Sequence, residues 1–119
     1  MPIAMHHEGD DTYRLDISGV LGGAEFRQCE AELARELERG GSAKLLCVLN
    51  QFEGWDPHSD WNQFGFYVRH GGAITRIAIV GDERWRDLTM MFASADLRRA
   101  PVEFFPERDL ARARAWLDA

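Results

Sequence analysis

The chain has no excess of positive charge: 14 basic against 20 acidic residues give a net charge of −6 over 119 residues. A mean negative field repels phosphate backbones and anionic headgroups, which argues against nucleic-acid binding and against electrostatic attachment to a membrane. Long hydrophobic runs are missing too. The longest, Lys44–Leu49 and Ile77–Val80, fall far short of the ~20 residues that span a bilayer and read as buried strands. The first eight residues, Met1 to Glu8, lack the basic and apolar regions of a secretory leader, so a cytoplasmic location is expected. Cysteine is scarce. Cys29 and Cys47 stand one in a helical pattern and one in an apolar strand, as two reduced structural thiols would, not as a disulfide or metal pair.

Catalytic and metal-binding patterns are equally absent. His6-His7-Glu8 and Asp56/His58/Asp60 have neither a histidine pair one helical turn apart nor a thiolate, so no metal site is read from them. Gly19-x-x-Gly22-Gly23 is not a Gly-x-Gly-x-x-Gly loop, and its strand alternates instead of being apolar throughout. No Ser/His/Asp arrangement has a supporting context, and no cofactor motif is present, which points to a non-enzymatic domain.

What is present is an ordinary soluble composition, 45% hydrophobic and 29% charged, on a chain sized for one core spanning residues 1–119. Thr12–Ser18 alternates polar and apolar residues and pairs with Ile3–His7 across the turn Glu8–Asp11, giving an antiparallel hairpin at a sheet edge. Phe26, Cys29, Leu33 and Leu37 recur at helical spacing until Gly40-Gly41. Lys44–Leu49 and Ile74–Val80 are continuous apolar strands, covered on both faces and therefore central. Gln51–His58 reads as a loop, after which Ser59 or Asp60 caps a helix carrying Trp61, Phe64 and Val68. Asp82 caps a third helix with a stripe of Trp85, Leu88, Phe92 and Ala95, and His70 sits at the end of the second, near its dipole. Val102–Phe105 is a last strand, and Pro106 starts a helix bearing Leu110, Ala113, Trp116 and Leu117. The order β-β-α-β-α-β-α-β-α, with short connections, implies an α/β fold: a mixed, mostly parallel five-stranded sheet with four helices.

Phe52-x-Gly54-Trp55, Trp61, His70, Arg76-Ile77-Ala78-Ile79-Val80-Gly81-Asp82-x-x-Trp85, Phe104-Phe105 and Ala113-x-x-Trp116-Leu117 carry a resemblance to the SpoIIAA-like proteins, a set of small STAS-type domains, from about Tyr13 to Leu117. The resemblance implies helices layered on a mixed sheet and two functional themes. One is a phosphorylatable antagonist of an anti-sigma factor; the other is binding of a small lipophilic ligand with transient association at a membrane surface. The antagonist branch places its phospho-acceptor in an Asp-Ser-Ser-Gly-like turn. Here the region reads Asp56-Pro57-His58-Ser59-Asp60-Trp61, so the motif is missing; Ser59 is a candidate acceptor by position, but its flanking aspartates would repel a phosphate.

The surplus of aromatics after the two central strands suggests an apolar cleft at their carboxyl ends, where α/β sheets bind ligands. Its candidate walls are Trp61, Phe64, Trp85 and Met91, gated by a Gly54-Trp55 loop; each aromatic on the helical stripes equally fits an ordinary core position. Any membrane contact would be local and apolar, through Trp55 and Phe66. The same surface could instead dock a protein partner or form a homodimer.

Overall fold

The computed structural model describes residues 2–63 and 65–119. Five strands lie side by side in chain order: β1 (Ile3–Gly9), β2 (Thr12–Leu21), β3 (Ala43–Trp55), β4 (Ile74–Gly81) and β5 (Val102–Pro106). The β1–β2 pair is an antiparallel hairpin and every later pair is parallel. The helices α1 (Gly23–Leu37), α2 (Gly65–His70), α3 (Arg86–Phe92) and α4 (Leu110–Leu117) fill the connections and the C-terminal end. The mixed, mostly parallel α/β sheet expected from the sequence is the one formed.

The two-residue period of the strands divides the core in two. Leu45, Leu49, Ile77, Ile79 and Phe104 face one layer with α1; Leu46, Ala78, Val80 and Phe105 face the other with Ala113 and Leu117 of α4. The α4 layer is closed by small and aliphatic side chains that are almost fully buried, such as Ala78, Ala113 and Leu117. On the opposite face, α1 lies towards the hairpin edge and α3 towards β5, so the middle strands are roofed by what lies between them.

Three local features depart from the sequence reading. Residues 51–55 are not a loop: β3 continues to Trp55, with Val20 opposite Gly54 and Leu21 opposite Trp55. The irregular register there is accommodated by left-handed backbone at Gln51 (φ 54°) and Gly54 (φ 107°), and on β2 at Gly19 (φ 59°). The second helix does not start at Ser59 or Asp60. Asp56 and Asp60 instead turn their carboxylates onto the amides two residues ahead, His58 and Asn62, each at 2.9 Å, and these turns compete with helix. Asp82 does accept from a backbone N–H, that of Arg84 at 3.0 Å, but it caps a 3-10 turn, Glu83–Trp85, ahead of α3. That tighter turn shifts the phase of the helix. Thr89 is the buried residue, whereas Leu88 is 44% exposed. Pro106 likewise ends β5, and a 3-10 turn, Glu107–Asp109, precedes α4.

Candidate functional site

Between the sheet and its roof lies an apolar cavity of about 120 Å³. Its floor is the α1-side face of the middle strands: Leu15 and Ile17 of β2, Leu45, Cys47 and Leu49 of β3, Ile77 and Ile79 of β4. Helix α1 supplies Phe26, Cys29, Glu30 and Leu33, α2 supplies Phe66, and α3 with its following turn supplies Thr89, Phe92, Ala93 and Arg98. Phe52 and Trp55, from the carboxyl end of β3, complete it. The cavity exists because α2 and α3 are only six and seven residues long, too short to cover the centre of the sheet with side chains from a full helical face.

A second, more polar hollow of about 220 Å³ adjoins it. The two share Phe26, Glu30, Phe92 and Arg98, so these four side chains form the partition between them. Phe92 is central to that partition. Its ring meets Phe26 at 5.1 Å, Trp55 at 5.2 Å and Trp61 at 5.4 Å between centroids, and one edge of it remains in solvent. Phe52 extends the aromatic chain, in edge contact with Trp55 at 5.0 Å and Trp85 at 4.9 Å.

Of the residues expected to form a cleft, Trp55, Trp61 and Trp85 occupy different parts of one aromatic cluster. Trp55 lines the cavity itself. Trp85 stands behind it, its ring edge 3.5 Å from the position of a β-carbon on Gly54, and borders a separate surface hollow with Asp82 and Glu107. Trp61 and Met91 line the outer hollow, Met91 with 70% of its surface exposed. Phe64 lies outside the described residues. Phe66, expected at the surface with Trp55, contributes to the cavity wall instead.

Ser59 has a structural task. Gly22 offers α1 no side-chain cap, and the Ser59 hydroxyl, 36 residues along the chain, accepts from the Gly23 N–H at 2.9 Å while donating to Asp56 at 3.2 Å. Asp56 also takes the indole N–H of Trp61 on its carbonyl at 2.8 Å, so this turn ties the aromatic cluster to the start of α1.

The cavity wall also holds charged groups that the sequence pattern does not mark, Glu30 and Arg98. Burial pushes the Glu30 carboxyl up to about 7, against the opposing pull of Arg27 and Arg98. Burial also lowers the Arg98 guanidinium from its ordinary value, though an arginine stays charged. The Cys29 and Cys47 thiols are both pushed to about 12 by burial, with Glu32 and Glu30 adding to the first and Cys29 to the second; they are neutral apolar wall, not nucleophiles. Thr89 satisfies itself by donating to the Trp85 carbonyl at 2.7 Å. Two buried donors have no partner among the described residues: the indole Nε1–H of Trp55 and Nη1 of Arg98. One signal for Glu30 was available: it stands one helical turn beyond Phe26 and beside Cys29, within the apolar stripe of α1. Arg98 had none, since its position depends on the turn that follows α3.

Comparison with known proteins agrees with this architecture. A solved structure of an uncharacterised protein from Shewanella loihica PV-4, of the DUF3478 family and with a SpoIIAA-like fold, superposes with a TM-score of 0.71. It is 21% identical and the match covers 97% of this chain and 91% of that one, a likeness of fold. No curated protein matches the chain. The model of the SpoIIAA-like family matches residues 12–118, which takes in four of the five strands, all four helices and every wall of the cavity. The chain belongs to the SpoIIAA-like family.

Proposed function

We propose that the protein is a non-enzymatic binding domain for a small lipophilic ligand, held in the cavity between the middle strands and α1–α3. The observation that carries this reading is the cavity. Well-packed interiors leave few voids larger than a water molecule. An apolar void of that size is a favourable destination for a ligand. A comparable engineered cavity of about 150 Å³ binds benzene.

Access would come through the partition at Phe92. Val68, Met91 and Leu97, 77%, 70% and 77% exposed, lie on the segments around the outer hollow and support a transient, apolar contact with a membrane surface during loading. The net charge of −6 supplies no attraction of its own. No described helix is long and apolar enough to cross a membrane. The anti-sigma antagonist reading draws no support from Ser59, whose hydroxyl is committed at both ends.

Trp55 reports on the site directly. Titration with a hydrophobic dye or short alkyl and aryl compounds, followed by tryptophan fluorescence, is expected to give a saturable change with one-to-one stoichiometry. A flat response to every compound would remove the binding reading.

A further inference from the structure

Trp55 and Arg98 both line the cavity, and each carries a buried hydrogen-bond donor without a partner among the described residues, Nε1 and Nη1. A buried donor without a partner costs on the order of 1–3 kcal/mol, and more when it carries charge, so the missing partner is an acceptor. Arg98 is held in place without being neutralised. Its Nε donates to the Ala93 carbonyl at 2.6 Å and its guanidinium lies 4.9 Å from the Tyr67 ring centre, which fixes the plane and leaves Nη1 free. Glu30 lines the same two hollows, yet no ion pair joins it to Arg98 or Arg27 among the described residues.

We infer that the ligand is an amphiphile with an ionised carboxylate, its head accepting from Arg98 at the partition and its tail lying in the apolar cavity. This rests on the lipophile-binding reading above. A full positive charge that no ion pair engages among the described residues selects an anion over an alcohol and rejects an amine, because charge-assisted hydrogen bonds are about twice as strong as neutral ones. The Trp55 indole N–H, likewise unpartnered, adds a neutral donor. The space bounds the tail: 120 Å³ is somewhat less than the void that takes benzene, so a short alkyl or aryl group fills it with Phe92 in place. The 220 Å³ hollow outside leaves room for the head.

Glu30 then sets the pH range. The charged and titratable groups near it are Arg27 on its own helix, Arg98 across the partition, and the two thiols, which stay neutral below about 12. Asp60 lines the outer hollow and is already ionised, its carboxyl lowered by the Asn62 amide and Gln63. As pH rises through about 7, Glu30 ionises, offers Arg98 a competing anion and repels the ligand's carboxylate.

The test uses hexanoate, hexanol and hexylamine on the whole chain, read by heteronuclear shifts of backbone and indole N–H resonances. Hexanoate is expected to bind at least tenfold more tightly than hexanol, hexylamine not at all, and the Trp55 indole proton to move downfield with the acid. Hexanoate affinity is expected to fall between about pH 6 and 8. Arg98→Gln should erase the preference for acid over alcohol. Trp55→Phe keeps an aromatic ring and should weaken hexanoate about fivefold, which tests the head site even if the arginine variant does not fold. Equal binding of acid and alcohol, or a preference that survives Arg98→Gln, would overturn the carboxylate assignment and leave the cavity reading standing. Failure of all three compounds to bind would overturn the cavity reading itself.

Discussion

Filling the cavity from within separates its two consequences, lost stability and gained binding. Cys47 is suited to this: it lies in the centre of β3, faces the void, and carries a thiol held neutral by burial, so replacing it removes no charge. Cys47→Ile adds about two carbon atoms' worth of side chain where β-branching suits a strand. At ~0.8 kcal/mol per buried methylene, the expected gain is about 1–2 kcal/mol. Urea denaturation is the assay. The midpoint should rise at unchanged slope, since the surface exposed on unfolding hardly alters. Affinity for the fluorescent probe should fall at least tenfold in the same variant. Destabilisation would mean that Cys47 is already closely packed, and unchanged probe affinity would mean that the probe binds elsewhere; either result refutes the argument.

Glu30 gives a pH-dependent prediction. Its folded value of about 7 lies above the ordinary 4.5, so the folded state keeps a proton that the unfolded state has released, and stability falls as pH rises from 4.5 to 7. A fully buried group would lose about 3 kcal/mol over that range; partial solvent contact reduces this to about 1–2 kcal/mol. Glu30→Gln should therefore be more stable than the parent by that amount at about pH 8, relative to their difference at about pH 4, and parallel pH profiles would contradict it. Ser59→Ala removes the distant cap of α1 and should cost about 1 kcal/mol in thermal or urea unfolding, whereas no loss would show that water replaces the hydroxyl at Gly23. Gly54→Ala places a side chain at φ 107°, costing about 1–3 kcal/mol from backbone strain; the Trp85 ring at 3.5 Å is at ordinary contact distance, so its emission should stay unchanged.

The strands are legible in the sequence because a buried parallel strand declares itself by composition. Lys44–Leu49 and Ile77–Val80 have no alternation, and the half-exposed Thr12–Ser18 does. Connections near the site are less legible. A glycine such as Gly54 signals a loop or a bulge equally well, and Asp56 and Asp60 serve turns as readily as helix caps. The third helix keeps Trp85 and Phe92 on its inner side but turns Leu88 outwards in favour of Thr89, because three residues of tighter helix stand ahead of Arg86. The cavity is hardest to foresee, since it is a gap between helices and no residue encodes a gap. Its aromatic border was visible in Trp55, Trp61 and Trp85, while its charged lining depended on one out-of-place carboxylate, Glu30, and on a turn.

The brevity of α2 and α3 has a dynamic consequence. Helices of six and seven residues have almost no stability of their own and depend on what they pack against. On this face the packing is interrupted by a void; on the other, α4 presses on an uninterrupted layer. Amides of β3, β4 and α4 should then exchange with solvent hydrogen only through global unfolding, and those of α2 and α3 through small local openings that leave the sheet untouched. Such openings would make one side of the sheet a fixed wall and the other a door.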